Sequence, residues 1–252
     1  VKYADLEHDL AQLLIEFSTV IIQLNPYTAE AVADAYELPA DKLRTIPHSS
    51  YQGIYAHSVS REQARAILDV PPSSPTLGFV GQLRLYKGLD TLLAAAELMS
   101  RQVQDLTLLL AGKTWPEAVE AIEAALPRSV RLVRYHSYIE DCDLQLWFKA
   151  ADVMVFPYRR VLNSGSVYLA ATFGRPCVLP AEPHLVKQFE GERWVSFYDT
   201  DGEPESNLAR AAESALETAR ADGVAAREFA TRYTPFDMSR AFLNLLESLQ
   251  AG

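Results

Sequence analysis

Between residues 76 and 199 short β-rich runs alternate with helix-length stretches, and this alternation limits the possible folds more than any other feature of the sequence. The β-rich runs are 76–80 (TLGFV), 106–111, 130–135, 152–156, 176–179 and 194–198. Between them lie helical patterns at 88–100, 116–125, 143–150 and 164–173, with a weaker one at 184–190. Continuous apolar strands separated by crossover helices belong to a parallel sheet covered on both faces. The expected fold class is therefore α/β: a doubly wound, Rossmann-like parallel sheet with helices on both faces. The longest apolar run, LTLLLAG at 106–112, is strand-sized and far short of the roughly 18 residues of a membrane span.

The flanks read differently. Ahead of the sheet, 4–16 patterns as a helix, 19–24 as a strand, 28–36 as a helix and 43–46 as a short strand. An irregular segment, 48–59, and the stiff break Pro71-Pro72-Ser73-Ser74-Pro75 follow. After it come helical patterns at 204–222, 224–232 and 235–249. This divides the chain into 1–58, the tail of a preceding Rossmann domain with its linker; 59–234, the main α/β domain; and 235–252, a closing helix. The sequence opens on Val-Lys-Tyr without Met and without the basic-then-apolar layout of a signal peptide, as expected of a fragment or a trimmed chain.

Charge and thiols narrow the function classes. With 23 Lys+Arg against 33 Asp+Glu the net charge is −10, the wrong sign for non-specific nucleic-acid binding. Two cysteines, Cys142 and Cys177, are too few for a disulfide framework and point to a reducing compartment. The five histidines are scattered and neither cysteine has a C-x2-C partner, so no metal is expected.

Two loops could carry chemistry. Gly81-Gln82-Leu83-Arg84-Leu85-Tyr86-Lys87-Gly88 follows the first main strand and opens a helix. It lacks both the G-x4-G-K-[ST] and the G-x-G-x-x-G spacings. It does offer two glycines, two cations and a helix N-terminus, a set suited to a phosphate; solvated loop charges are the competing reading. The loop after the fourth strand runs Phe156-Pro157-Tyr158-Arg159-Arg160-Val161-Leu162-Asn163-Ser164-Gly165-Ser166. Asn163 or Ser164 is a natural N-cap, which by itself could account for their presence. In a 3-2-1-4-5-6 strand order the two loops flank the topological switch point, where ligands bind. Lys113, Arg134 and His136 add basic groups at other strand ends, in keeping with a focused small anion. The 135–139 loop (YHSYI) could meet a base, with aromatic packing as the alternative for Tyr135 and, equally, for Tyr138.

These residues resemble the nucleotide-sugar-binding domain of GT-B glycosyltransferases, especially the group 1 (family 4) type, over about residues 20–249. Four segments carry the resemblance. Ile46-Pro47-His48 stands for the family's Ile-Pro-Asn-Gly, and 79–88 (FVGQLRLYKG) for its Gly-Arg-Leu…Lys-Gly loop. The strand 150–157 (AADVMVFP) matches Ala-Asp-Val-Phe-Val-x-Pro-Ser, and 173–178 (FGRPCV) matches Ala-x-Gly-x-Pro-Val-Val. The resemblance implies glycosyl transfer from a nucleotide-diphosphate sugar to an acceptor hydroxyl. Arg84 and Lys87 would stabilise the leaving diphosphate, as the catalytic pair. Gly81, Gln82, Tyr138, Ile139, Tyr158, Asn163, Ser164, Gly165 and Ser166 would bind the donor, with the Ser164-Gly165 amides on its distal phosphate and the Tyr138-Ile139 loop near the base. It implies no cofactor and no metal. A carbohydrate or lipid-linked acceptor would be held by the preceding domain, of which 1–58 is the end. The implied setting is cytoplasmic, with peripheral association at the inner face of a membrane. The sequence departs from the family where Gln82 replaces an Arg, and where Val161 and Leu169 replace the two glutamates of Glu-x7-Glu. A non-catalytic binding module or a sugar-nucleotide epimerase of the same fold are the alternatives.

Overall fold

The computed structural model describes residues 4–115, 119, 120, 122 and 124–250. In chain order, α1 (Ala4–Phe17), β1 (Ile21–Gln23), α2 (Thr28–Ala31) and β2 (Leu43–Thr45) precede α3 (Arg61–Ile67). The main domain continues with β3 (Thr76–Val80), α4 (Leu89–Met99), β4 (Thr107–Ala111), β5 (Arg131–Tyr135), α5 (Leu144–Ala150) and β6 (Val153–Val155). Then follow α6 (Gly165–Thr172), β7 (Cys177–Pro180), α7 (Pro183–Gln188), β8 (Val195–Tyr198), α8 (Pro204–Arg232) and α9 (Pro235–Gln250). Of the helix expected at 116–125, residues 116–118, 121 and 123 lie outside the described residues, while Val119, Glu120, Ile122 and Ala124 are helical.

β1 and β2 form a small parallel pair; the other strands form one parallel sheet in the order β5-β4-β3-β6-β7-β8. This is the doubly wound order, and β3 and β6 are the neighbours from which the chain winds outward in opposite directions. Every residue of β3 and β4 is buried, so side chains on both faces are covered, as their unbroken apolar patterns require. α4 packs along α8, α3 along α5, and α6 against α8.

Three elements depart from the sequence patterning. α8 is one continuous helix where a break at Asp222-Gly223 is expected. Asp222 is not ending a helix but pairs with Arg193 (Nε–Oδ1 2.7 Å), and a Cβ at Gly223 would lie 2.6 Å from the Gly174 carbonyl. The glycine is there for close packing. The helix expected at 28–36 is confined to Thr28–Ala31, and the chain then turns. α3 carries no signal in the apolar periodicity, but it has a capping box. Ser60 Oγ accepts from Gln63 N (3.2 Å), and Gln63 Oε1 accepts from Ser60 N (2.7 Å).

α3 delivers Arg65, a guanidinium only 1% exposed, under the amino ends of the central strands. Its Nη1 donates to the carbonyls of Pro71, Pro72 and Ser74 (2.9, 2.9 and 2.8 Å), its Nε to Ala150 O (3.0 Å) and its Nη2 to Asp152 Oδ2 (2.8 Å). Asp152 also accepts from Arg61 Nη2 (2.6 Å) and from the Thr76 amide (3.0 Å). One carboxylate thus ties the starts of β3 and β6 to α3. Removing one partner of a buried pair leaves an uncompensated charge, so Asp152→Ala should destabilise the fold by about 3–5 kcal/mol. Denaturant unfolding reads this directly. Arg131→Ala, which removes the exposed ion pair with Asp69, should leave the midpoint unmoved. Equal midpoints for the two variants would refute the structural role assigned to Asp152.

Candidate functional site

The loop after β3 prolongs the sheet before it leaves it. Gly81 N donates to Ala111 O and Leu83 N to Lys113 O (both 3.0 Å), and Leu83 pairs with Thr114 as a parallel bridge. Leu83 is fully buried, which holds the middle of the loop down and leaves Gln82 exposed. Arg84 stacks over the Trp115 ring, 4.4 Å from its centroid, and its buried Nε has no hydrogen-bond partner. A short 3-10 turn, Leu85–Lys87, then brings Lys87 inward. The Lys87 ammonium lies 4.1 Å from the centroid of Tyr158 and 5.2 Å from that of Tyr86. Burial, and then the neighbouring Arg84 charge, hold its pKa below the ordinary lysine value. Gly88 has a left-handed φ of 70°, and its Cα faces the Pro157 carbonyl so closely that no side chain fits.

The loop after β6 meets it. Arg159 N donates to Tyr86 O (3.2 Å), and the Arg159 guanidinium pairs with Asp90 of α4. Ser164 is the N-cap of α6, but its side chain does not cap the helix: Ser164 Oγ lies 3.0 Å from the Tyr158 hydroxyl. The capping expected at Asn163-Ser164 therefore holds for position and fails for mechanism. Tyr158 is 2% exposed, and burial pushes its phenol up to about 12. Across the crevice, Ser166 Oγ is 3.7 Å from where a Cβ of Gly81 would stand, so the two loops are neighbours. On the other side of α6 a Cβ at Gly165 would lie 2.6 Å from the Tyr51 hydroxyl and 3.7 Å from His48 Nε2. The His48 ring stacks on Tyr168 (4.2 Å between centroids), and Nδ1 is 2.7 Å from the Ser49 carbonyl. That contact places the imidazole proton on Nδ1, while burial lowers the pKa and keeps the ring neutral.

Between these loops, at the carboxyl ends of the central strands, is a cleft of about 270 Å³. Of the residues expected at a donor site, Gly81, Gln82, Tyr138, Ile139 and Ser166 line it. Asn163, Ser164 and Gly165 continue the chain into the same helix start, and Arg84 and Lys87 stand in the adjoining loop. Tyr158 lies behind the site, in the core. Lys113, flagged only as a basic strand end, also faces the cleft. Tyr55 and Asp141 do so as well, and sequence reasoning missed both. Tyr55 belongs to the irregular 48–59 segment, which carries no motif. Asp141 reads from sequence as a helix-start acid. Val161 and Leu169, in place of the family's glutamates, pack against the core, and Leu169 reaches the cleft. His136, from the basic strand ends, is held by Thr114 (Nδ1–Oγ1 2.7 Å). Among the described residues no group of three His, Cys, Asp or Glu side chains could hold a metal ion.

Two glycines, two cations in the adjoining loop and aromatic side chains around the cleft are groups that suit an elongated anion with a flat end. Over 124 residues the chain is 31% identical to a GDP-mannose:glycolipid 4-beta-D-mannosyltransferase of Xanthomonas campestris pv. campestris, covering 47% of this chain and 34% of that protein. Over 196 residues it is 27% identical to a D-inositol 3-phosphate glycosyltransferase of Xylanimonas cellulosilytica, covering 75% and 45%. The chain thus spans between a third and a half of the length of these relatives. In fold it resembles a sucrose-phosphate synthase of Thermosynechococcus elongatus, with a TM-score of 0.78 at 22% identity over 98% of this chain and 62% of that one. The sequence profile of the glycosyl transferases group 1 matches residues 74–217, more than half of the chain, including both loops and every strand of the main sheet. The chain belongs to the glycosyl transferases group 1 family.

Proposed function

We propose that this chain holds a sugar nucleoside diphosphate for glycosyl transfer to an acceptor hydroxyl. The observation that carries the reading is the cleft at the β3–β6 switch point, where the Gly81 and Ser166 loops meet beside a half-buried lysine. In this reading the diphosphate lies between Lys87, aided by Arg84, and the amides at the start of α6. The base extends toward Tyr138 and Ile139. During transfer the bond from the anomeric carbon to the diphosphate oxygen breaks, a bond to the acceptor oxygen forms, and the acceptor proton leaves. Negative charge grows on the diphosphate, and a preorganised, partly desolvated cation stabilises that charge more than it would in water. The named activities of the two relatives, on a glycolipid and on an inositol phosphate, support a carbohydrate or lipid-linked acceptor. Apolar residues exposed along α1 (Leu6, Leu10, Leu14) and α9 (Phe236, Leu243, Leu246) support faces against which an acceptor-binding domain packs. Two free thiols, Cys142 and Cys177, fit a cytoplasmic setting. Among the described residues no helix is long and apolar enough to cross a membrane; peripheral association at its inner face belongs to the same reading.

Calorimetric titration with GDP, UDP and ADP, with NAD as control, tests the reading. One diphosphate should bind, and Lys87→Ala should weaken it by about 1.5–3 kcal/mol. Wild-type affinity in that variant would move the phosphates elsewhere.

The pH dependence has a definite sign. Burial lowers the Lys87 pKa in the free protein, and a bound dianion raises it. The charge that binding needs is complete below the free-protein value and is lost as pH rises through it. Affinity should therefore fall on the alkaline side, starting at lower pH than for an exposed lysine, and Lys87→Arg should push the fall upward. A flat alkaline profile would remove Lys87 from the site.

Gly165→Val sets a branched side chain against Tyr51 at the helix start. It should weaken diphosphate binding at least tenfold, about 1.4 kcal/mol, while Gly191→Asn, which tolerates the left-handed φ of 77° and meets nothing within 4 Å of its Cβ, should not. Equal affinities in the two variants would place the ligand away from α6.

A further inference from the structure

We infer that Tyr158 is a positioning residue of this site, keeping both halves of the anion cradle free of protein partners while holding them in place. The inference rests on the phosphate reading above. Tyr158 is buried at 2% exposure and anchored by stacking on Phe156 (5.7 Å between centroids), so it does not meet the ligand. Its two ends face two different loops. The ring carries the Lys87 ammonium at 4.1 Å from its centroid, and the hydroxyl meets Ser164 Oγ at 3.0 Å.

Each contact prevents a competing one. A half-buried ammonium normally acquires a carboxylate, but among the described residues no carboxylate pairs with Lys87. The aromatic face stabilises the cation without neutralising it, so its full charge is left for a dianion. A serine at an N-cap normally turns its oxygen onto the amides of the first turn. Here that oxygen is taken up by the phenol, and α6 has no side-chain cap. Val167 N turns back to the Ser164 carbonyl (3.2 Å), and no side chain caps the amides before it. Cation and amides belong to loops far apart in sequence, and one rigid side chain fixes the spacing between them. The Gly88–Pro157 contact and the Arg159–Tyr86 hydrogen bond clamp the same two loops from outside.

The ring and the hydroxyl can be separated. The experiment is calorimetric titration of the full chain with GDP and UDP, following whichever binds more tightly, in a cycle of Tyr158→Leu, Tyr158→Phe and Lys87→Ala. Tyr158→Leu should weaken binding about tenfold in the presence of Lys87 and less than about twofold in the Lys87→Ala background, because the ring acts through the lysine. Tyr158→Phe keeps the ring and frees Ser164 to cap α6. It should lose about three- to fivefold in affinity, with the cost of Lys87→Ala unchanged, and without loss of thermal stability. A tyrosine that only filled the core would lower stability and leave the coupling at zero. The inference is overturned if Tyr158→Phe binds as tightly as the unmodified chain, or if Tyr158→Leu costs the same with and without Lys87. Should Tyr158→Leu fail to fold, Tyr158→Phe still decides the matter, since a three- to fivefold loss of affinity at unchanged thermal stability supports the inference and unchanged affinity overturns it. If the unmodified chain binds neither diphosphate, the phosphate reading falls and this inference falls with it.

Discussion

The carboxylate of Asp152 decides where the cleft can be. β3 and β6 are in register over only two positions, Leu77 opposite Val153 and Gly78 opposite Met154, as few as β6 and β7 share. Two paired positions are a weak tether for the strands from which everything else winds outward. Below them Asp152 binds Arg65, Arg61 and the Thr76 amide, while its own amide donates to the Thr76 carbonyl (2.8 Å). In a low-dielectric setting this network is strong only when complete, since each charge left alone would be costly to bury. It is complete: the remaining guanidinium donors of Arg65 go to backbone carbonyls of the Pro71–Ser74 break. The polar segment that looks like a linker in the sequence is thus a set of acceptors for a buried cation.

The same pair of strands is clasped again at its other end, by different physics. There the contacts are a glycine against a carbonyl, an ammonium on an aromatic ring, a hydroxyl pair and the Arg159–Asp90 ion pair, and none of them neutralises Lys87. At the upper end Lys87 pairs with no carboxylate among the described residues and Arg84 keeps an unpartnered buried Nε; at the lower end Asp152 matches Arg65 and Arg61, while Arg175 donates to the Lys149 carbonyl and keeps its own Nε unpartnered. A protein of net charge −10 that leaves two cations unmatched in one recess concentrates positive potential there. The two ends of the same strand pair are thus held by different kinds of contact.

Most of the fold was legible, because continuous apolar strands and amphipathic helices repeat a pattern that local sequence records. β3 spans the expected 76–80, and the doubly wound class follows from apolar strands alternating with crossover helices. The misses share a cause. Asp222-Gly223 reads as a stop, and only the presence of Arg193 and Gly174 in space turns it into a packed helix interior. α3 is too short for periodicity, and its capping box was the one local signal. At the site the loops were legible through their glycines, cations and serines. Tyr55 was not, since a side chain reaching a cleft from an irregular segment leaves no periodic trace. Ser164 shows the limit most clearly: its residue type fixed its position at the helix start, and a tyrosine six residues earlier decided where its hydroxyl went.

The replaced glutamates follow the same logic. A glutamate at 169 would point a second negative charge into a cleft that already faces Asp141, and one at 161 would crowd acid against Glu182. Valine and leucine at these positions pack against the core. The local field is therefore set by Lys87, Arg84, Lys113 and the amides of α6, with fewer acids to offset them. Polar contacts to the far end of a ligand must come from elsewhere around the start of α6. Gly165 is flanked there by a neutral imidazole with its acceptor on Nε2 and by a phenol, both from the segment that joins the small sheet to the large one. The polar groups nearest Gly165 on that side of α6 are thus an imidazole and a phenol from the residues just after Ile46-Pro47.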